Sequence, residues 1–216
     1  PNNNGSFLQA YALQQILVKE LGVDNEIIDF RSVKQTNQYK TFRPVQCKND
    51  LLKNLASLPH YRKLNIRYAR FEEMRNRYLM KTECIVSEED ALKQASKYDV
   101  LIAGSDQIWN PTFRNGTDPA YYLDFGPENV QRKSFSASFA VSSIENIQKK
   151  LWIKNNLKRF DKITVREQSA LKILKEMGYD GELQDDPVFM LSAEEWNRAL
   201  NLEESWKKLG IKNEKY

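Results

Sequence analysis

The chain has 216 residues, of which 41% are hydrophobic and 29% are charged, an ordinary composition for a globular protein with one large domain or two small ones. No apolar run approaches the about 20 residues of a membrane-spanning helix, and residues 1–4 resemble neither a signal peptide nor a transit peptide. Cys47 and Cys84 lie far apart without metal-binding spacing. We therefore expect free thiols, a reducing compartment and a cytoplasmic location.

The formal net charge of +4 is unevenly distributed along the chain. Residues 43–81 contain ten Lys or Arg and three Asp or Glu, a local balance of +7. The remaining residues contain 23 basic and 26 acidic side chains, a balance of −3. Basic character therefore belongs to one segment rather than to the whole protein.

The first predicted element is a helix that begins at Gly5 and Ser6 and ends before Gly22. Its apolar residues recur at helical spacing, which is typical of a helix that packs one face on a core: Leu8, Ala12, Leu13, Ile16, Leu17 and Leu21. A Gly-Ser step at a helix N-terminus offers free N–H groups to an anion or a sugar hydroxyl. The alternative is that Ser6 only caps the helix.

The next elements are a predicted strand at residues 26–30, a polar connection at residues 34–46 and a helical stretch at residues 50–79 broken near Pro59. Residues 61–79 interleave basic and aromatic side chains, a mixture that can indicate nucleic-acid binding. The aromatic residues recur at helical spacing, however, and no nucleic-acid motif accompanies the charge. We therefore favour a helix with a packed aromatic face and a solvated basic face, and expect no nucleic-acid partner.

The second half of the chain alternates strands and helices. The predicted strands comprise residues 100–103, 133–139, 162–165 and 181–184. The predicted helices comprise residues 87–95, 144–159, 168–177 and 194–200, the first and last capped by Ser87 and Ser192. The second of these helices is expected to bury Ile147, Leu151, Ile153 and Leu157. The alternation predicts an α/β fold, a Rossmann-like parallel sheet with flanking helices.

Between the first two of these strands, residues 110–128 form a long loop rich in Gly, Pro, Asn and Asp. Loops of this length in compact domains usually carry function or are mobile.

Polar side chains follow directly after four apolar runs. Because the carboxyl ends of parallel strands share one edge of a sheet, these side chains are expected to converge on one crevice: Ser105 and Asp106, Ser136 and Ser138, Arg166 and Glu167, Asp185 and Asp186. Each alone has a structural explanation, since Ser and Asp cap helices and arginine pairs with carboxylates. Neither G-x-G-x-x-G nor G-x-x-x-x-G-K-[ST] occurs, so no motif supports dinucleotide or P-loop nucleotide binding.

Five segments resemble, in the same order, the motifs of one enzyme family: residues 5–14 (GSFLQAYALQ), 104–111 (GSDQIWNP), 134–139 (SFSASF), 164–170 (TVREQSA) and 186–196 (DPVFMLSAEEW). The family is the polysaccharide pyruvyl transferases, and the resemblance spans nearly the whole chain. Its members move an enolpyruvyl-derived group from phosphoenolpyruvate onto a sugar. The resemblance implies a transferase of surface-polysaccharide assembly with phosphoenolpyruvate as donor substrate, a sugar or lipid-linked glycan as acceptor, and no cofactor.

Arg166 is the residue that we expect to contact the donor. Its planar guanidinium suits both the phosphate and the carboxylate of phosphoenolpyruvate, and it stands at a predicted helix N-terminus, where the field favours anions. The resemblance implies the same contact. The alternative is an arginine that orders Glu167 or Asp106.

The other candidate residues have less specific roles. Asp106 and Asp186 are candidates for holding acceptor hydroxyls or for general-base catalysis, although an Asp-Pro step is also a common turn. Trp109 either stacks on a sugar ring or lies in the core. No metal ligand set occurs, and His60 is expected to be structural or superficial. The predicted catalytic residues are Asp106 and Arg166, and the predicted substrate-binding residues are Gly5, Ser6, Gly104, Ser105, Asp106, Trp109, Ser136, Ser138, Arg166, Glu167 and Asp186.

The resemblance also implies a domain organisation, because family members are similar to two-domain glycosyltransferases of the GT-B type. Residues 1–200 are then expected to form the Rossmann-like, acceptor-side domain, with a basic helical insertion near residues 50–80. Residues 201–216 are expected to begin a linker to a C-terminal domain that supplies donor-binding and acid residues. Family members normally begin with a strand, and none precedes the first helix here, so we expect this chain to lack its first few residues. The chain alone is expected to bind ligands weakly and turn over little.

Three interpretations follow from the sequence. The first is a pyruvyl transferase whose basic insertion attracts an anionic or lipid-linked glycan and contacts the membrane surface. The second is a GT-B-type glycosyltransferase that uses a nucleotide sugar. The third is a non-catalytic relative that binds glycan or a partner protein.

Overall fold

The computed structural model describes residues 3–31, 58–113 and 116–201, together with positions 52, 55 and 204. Its α-helices are α1 (Asn4–Leu21), α2 (Tyr61–Tyr78), α3 (Glu88–Ala95), α4 (Ile147–Leu157), α5 (Gln168–Met177) and α6 (Ala193–Leu200). Its strands are β1 (Val100–Ala103), β2 (Gln131–Ser134), β3 (Thr164–Val165) and β4 (Glu182–Leu183). Short 3-10 turns cover Leu58–His60, Pro119–Tyr122 and Pro187–Phe189. The predicted α/β class is confirmed.

Within the described residues, every strand pair is parallel. β1 pairs with β2, and β3 pairs with β4. Parallel bridges from Lys133 to Lys162 and from Ala137 to Val165 connect β2 and the residues after it to β3. The four strands therefore follow one another in the order β1-β2-β3-β4, and their carboxyl ends lie along one edge.

The main hydrophobic core lies between these strands and helices α4 and α5. α5 contributes Ala170, Ile173, Leu174 and Met177, a spacing that puts all four on one face of the helix. Gly178 then ends α5 with a φ of 83°, a conformation that glycine adopts without a steric cost. The core is completed by residues of the strands and loops, chiefly Trp109, Tyr122, Ala137, Phe139, Ile153, Leu157 and Val165.

The loop between β1 and β2 is held from inside the protein by Arg132. The buried guanidinium of this arginine donates hydrogen bonds to the carbonyl oxygens of Leu123 at 3.1 Å, Pro127 at 2.9 Å and Val130 at 3.0 Å. A buried charge is tolerated only with such partners. The described part of the predicted loop at residues 110–128 is therefore packed onto the domain.

The first and last helices pack against each other. Ala12 and Ile16 of α1 form a small core with Leu191, and the rings of Tyr11 and Trp196 lie 5.8 Å apart between their centroids. The predicted cap of α6 is confirmed, because Ser192 and Glu195 form a reciprocal capping box. These contacts attach the α6 end of the described chain to α1.

Three local predictions are wrong. The strand predicted at residues 133–139 is observed as β2 (Gln131–Ser134), so most of its predicted length lies after the strand. α1 begins at Asn4 rather than at Gly5, and its N-cap is Asn3, whose side chain accepts a hydrogen bond from the Gly5 N–H at 2.8 Å. In α4, Ile147 and Leu151 are 73% and 55% exposed rather than buried. At about 100° per residue they lie about 80° to 160° around the helix axis from the buried Ile153 and Leu157.

The predicted strand at residues 26–30 is extended but forms only single parallel bridges, from Ile27 to Lys81 and from Phe30 to Ile85. An ion-pair cluster fixes its end, where Arg31 bonds to Asp29 and to Glu72 of α2.

A groove of about 1330 Å³ is lined by the segment at residues 26–31, by β1 and by α1. β1 bonds to β2 through alternate residues, with the carbonyl oxygens of Asp99 and Ala103 accepting from β2 and the residue after it. Strand geometry then directs the backbone N–H and C=O groups of Val100 and Ile102 into the groove. Among the described residues, no backbone hydrogen bond is made on that edge of β1.

Some predictions fall on other parts of the chain. The polar connection at residues 34–46, Cys47, most of residues 50–57 and the tail after residue 204 lie outside the described residues. Cys84 is a free, exposed thiol. None of the described helices combines the length and apolarity needed to cross a membrane.

Candidate functional site

The carboxyl ends of the four strands meet as the alternation of elements predicts. Asp106 is bridged to Ala137, and Ala137 is bridged to Val165, both in the parallel sense. The Gln184 N–H donates to the carbonyl oxygen of Val165 at 2.9 Å, which extends the row to the residue after β4. Residues that follow four different strands therefore lie side by side. We use the name strand-end cluster for Ser105, Asp106, Arg166, Glu167 and Asp186.

Asp186 connects three of these strand ends. Its Oδ2 accepts hydrogen bonds from the Ser105 hydroxyl at 2.6 Å and from Nη1 of Arg166 at 3.2 Å. Its Oδ1 accepts from the Val188 N–H at 3.1 Å, which caps the 3-10 turn. Asp186 thus forms the turn expected of an Asp-Pro step and, in addition, orients Arg166.

Arg166 stands at the N-terminus of α5 and remains accessible. Its side chain is 29% exposed, and its Nε lies 3.6 Å from Oε2 of Glu167. Nη2 makes no hydrogen bond within the described part of the chain. The guanidinium is therefore oriented by two carboxylates while part of its donor set faces solvent. Both explanations offered for Arg166 from the sequence are compatible with this geometry, because the arginine pairs with carboxylates and still presents free donors.

Asp106 joins α1 to the end of β1. Its Oδ2 accepts a hydrogen bond from the hydroxyl of Ser6, and its Oδ1 accepts from the Gln107 N–H at 2.8 Å. The Ser6 side chain therefore binds a carboxylate 100 residues later in the chain instead of capping the helix. The neighbouring Gly5 is exposed, and Gly104 lies against α1 at Gln9.

Glu167 is engaged by the loop that follows β2. Its Oε1 accepts three hydrogen bonds, from the Ser138 hydroxyl, the Phe139 N–H and the Ala140 N–H, each at 3.0 Å. Three hydrogen bonds fill the acceptor capacity of one carboxylate oxygen. In this structure Glu167 holds the loop in place, and only its Oε2 is directed toward Arg166.

Three of the predicted serines are buried. Ser105, Ser136 and Ser138 have 1%, 0% and 0% of their surface exposed. The Ser136 hydroxyl lies 2.6 Å from the carbonyl oxygen of Asp185, and Ser138 binds Glu167. These buried hydroxyls bond to protein groups and hold the strand ends in position.

Trp109 is a core residue. Its indole is fully buried, its N–H donates to the Tyr121 carbonyl oxygen at 3.1 Å, and its ring stacks on Tyr122 with centroids 5.7 Å apart. Of the two interpretations offered for Trp109, the structure supports the core residue.

Strained backbone is concentrated at the same place. Asp106, Ser136 and Ala140 have φ angles of 128°, 55° and 50°, which residues with a Cβ rarely adopt. Such strain clusters where function requires a fixed geometry. All three residues follow the strands of the site.

Two groups that build this site were not predicted from the sequence. The Thr164 hydroxyl accepts a hydrogen bond from the Ser136 N–H at 3.0 Å. The backbone N–H of Gln107 donates to Asp106. Thr164 lies inside a predicted strand, so no local signal marked it. Within the described ranges, no set of His, Cys, Asp and Glu side chains could hold a metal ion.

This geometry defines the general class of the protein. It is an α/β protein with a polar cluster at the carboxyl ends of parallel strands. Residues 3–215 match the family model of the polysaccharide pyruvyl transferases, so the chain belongs to that family. Family membership supports a transferase activity of this general kind. No curated protein and no solved structure matches the chain significantly.

Proposed function

We propose that the protein transfers a pyruvyl group from phosphoenolpyruvate onto a sugar of a surface polysaccharide, where it forms a ketal. The observation that supports this proposal best is the state of Arg166, which is oriented by Asp186, exposed at the sheet edge and placed at a helix N-terminus. A guanidinium with free donors beside the positive end of a helix is suited to a phosphate or a carboxylate.

The carboxylates of Asp106 and Asp186 suit the acceptor. Asp106, Glu167 and Asp186 are carboxylates, so the cluster contains three anions and one cation. Carboxylate oxygens accept hydrogen bonds from sugar hydroxyls, and one of them can remove a hydroxyl proton. We assign that role to Asp106, which the Ser6 hydroxyl and the Gln107 N–H hold in place.

The proposed reaction joins two sugar oxygens to one donor carbon. The oxygen of one hydroxyl bonds to the central carbon of phosphoenolpyruvate while the methylene carbon takes a proton and becomes a methyl group. The carbon–oxygen bond to phosphate then breaks, phosphate leaves with the bonding electron pair, and the second hydroxyl oxygen bonds to the same carbon. Of the two hydroxyl protons, one is balanced by the proton on the methyl group and the other leaves with phosphate.

The charge balance of the cluster supports a two-domain, GT-B-like enzyme. One arginine amid three carboxylates does not neutralise a donor that carries a phosphate and a carboxylate, so further cations are needed. In this proposal residues 1–200 are the acceptor-side domain with the basic helical insertion near residues 50–80. Residues 201–216 begin the linker to a C-terminal domain that supplies those cations and an acid. The free thiol of Cys84 fits a reducing compartment, and the donor chemistry then takes place in the cytoplasm.

The proposal is tested by thermal unfolding of the full-length enzyme with phosphoenolpyruvate and, separately, with UDP-glucose. We expect phosphoenolpyruvate to raise the Tm, Arg166→Ala to remove the shift, and Arg159→Ala to leave it unchanged. Arg159 is the matched control, because it is an exposed arginine paired with Asp124 away from the strand ends.

Stabilisation by UDP-glucose alone would assign the protein to the nucleotide-sugar glycosyltransferases. No shift with either ligand would favour a non-catalytic glycan-binding relative. Release of phosphate by these 216 residues alone at the rate of the full-length enzyme would contradict the two-domain part of the proposal.

A further inference from the structure

Most of the basic side chains of helix α2 lie on the side that faces away from the domain. None of its residues is buried. On the side toward the domain, Glu72 forms ion pairs with Arg31 and Arg75, which neutralise its negative charge. Glu72 therefore does not neutralise the charge of the opposite side.

The outward side of α2 is a basic stripe, which we define as Arg62, Lys63, Ile66, Arg70 and Arg77. All five side chains are exposed. At about 100° per residue they fall within an arc of about 100°, and from first to last they extend for about 22 Å along the axis. Glu73 is the acidic residue on the same side, which leaves an excess of positive charge.

Within the described part of the chain, the cations of the basic stripe form no ion pair. Arg62, Lys63 and Arg70 form no ion pair or hydrogen bond with any residue in the described ranges. Arg77 only stacks over the ring of Tyr78, 5.4 Å from its centroid. The stripe is therefore available to an anionic partner outside the domain.

Apolar side chains of α2 and of the residues before it are also exposed. Ile66, at the middle of the stripe, is 54% exposed, and Leu58 in the turn before α2 is 53% exposed. Leu52 and Leu55 are also exposed. Aliphatic groups gain nothing from contact with a linear polyanion, whereas they are buried when a helix lies at the headgroup boundary of a bilayer.

We infer that the basic stripe of α2 binds the surface of an anionic membrane, with Lys and Arg at the phosphate level and Ile66 inserted between headgroups. The inference does not depend on the donor substrate, because the stripe shares no residue with the strand-end cluster. Anionic lipids attract clusters of four or more basic residues in this way, and an exposed apolar residue among them adds affinity.

The test is co-sedimentation of the protein with vesicles of phosphatidylcholine, with and without phosphatidylglycerol. We expect binding only when phosphatidylglycerol is present, and loss of binding at high salt because the charges are screened. The variant R62E/K63E/R70E should bind about a hundredfold more weakly, since each basic residue contributes appreciably to the attraction. Ile66→Ser should weaken binding several-fold at unchanged net charge.

The matched control is K154E/K172E/K175E, which makes the same change of charge on α4 and α5 at exposed lysines. It should retain binding, and circular dichroism should show that every variant is folded. Equal losses in both triple variants would overturn the inference, because binding would then follow net charge alone. Binding to heparin with no effect of Ile66→Ser on vesicle binding would also overturn it and assign the stripe to a polyanionic glycan or nucleic acid.

Discussion

The guanidinium of Arg166 donates to Oδ2 of Asp186 at 3.2 Å, and the same oxygen accepts from the Ser105 hydroxyl at 2.6 Å. One carboxylate oxygen thus joins residues that follow β1, β3 and β4. The orientation of the arginine is consequently set by the strand ends and not by its own flexible stem. A site that must present a fixed pair of N–H donors to an anion requires this kind of support.

Replacing Arg166 by lysine should not preserve activity. Lysine keeps the charge but presents a point charge in place of a planar fork, and it cannot donate to Asp186 and to an anion in the same geometry. We expect Arg166→Lys to lower kcat/KM for phosphoenolpyruvate by about 10²-fold, or about 2.7 kcal/mol of transition-state stabilisation. Steady-state phosphate release by the full-length enzyme measures the change, and activity near that of the wild type would contradict the assigned role.

Asp106 should act on kcat more than on KM. Asp106→Asn keeps the shape and the Ser6 contact but removes the base, so we expect kcat to fall by about 10²- to 10⁴-fold with a smaller change in KM. Ser6→Ala should cause a smaller loss, because it only releases one oxygen of the carboxylate. The reverse order, with Ser6→Ala more damaging than Asp106→Asn, would show that the hydrogen bond matters for structure rather than for catalysis.

Two substitutions of Glu167 distinguish the effect of its negative charge from the effect of its hydrogen bonds. Glu167→Gln keeps an oxygen that can accept from Ser138, Phe139 and Ala140. The free energy of unfolding of this variant should therefore differ from that of the wild type by less than about 1 kcal/mol. Glu167→Ala leaves those donors without a partner and should cost about 2–3 kcal/mol. Urea unfolding of both variants gives the comparison. Equal destabilisation would indicate that the negative charge, and not the three hydrogen bonds, holds the loop.

Trp109 should affect stability and not ligand affinity directly. Trp109→Ala removes a fully buried indole from its contacts with Tyr122 and Phe139 and should destabilise the protein by about 3–5 kcal/mol. Trp109→Phe should recover part of that loss and leave the affinity for a glycan acceptor unchanged. Chemical denaturation and acceptor titration of the Phe variant test both statements, and a selective loss of glycan affinity would restore the sugar-stacking interpretation.

Asp29 and Glu72 should make the protein sensitive to acid. Burial acts to raise the pKa of each carboxyl, but hydrogen bonds and charges from Arg31, with Lys81 beside Asp29 and Arg75 beside Glu72, outweigh it and lower both pKa values. A lowered pKa in the folded state stabilises the protein above the unfolded-state value of about 4, and this contribution is lost as the pH falls through the folded-state pKa. Asp29→Asn should therefore reduce stability at neutral pH and flatten its dependence on pH below about 5. Urea midpoints measured across this range test the prediction, and an unchanged slope would contradict it.

The alternation of elements and the convergence of strand ends could be predicted from the sequence because both depend on local patterns. Such patterns mark three features: α5 with Gly178 at its end, the Ser192 capping box, and the polar residues after β1 to β4. The burial of Trp109, Ser136 and Ser138 could not be predicted, because a polar or aromatic residue after a strand can face either the core or the solvent. The partners of Ser6 and Glu167 depend on contacts across 100 and 27 or more residues of sequence, and no local signal encodes contacts of that range.

The groove beside β1 has a practical consequence for work with this chain. Val100 and Ile102 direct main-chain donors and acceptors into it, and apolar side chains surround them. A strand edge to which no described residue bonds is a template on which another polypeptide can add by main-chain pairing. We expect the isolated chain to self-associate as its concentration rises, so light scattering over a dilution series should precede any measurement of ligand affinity.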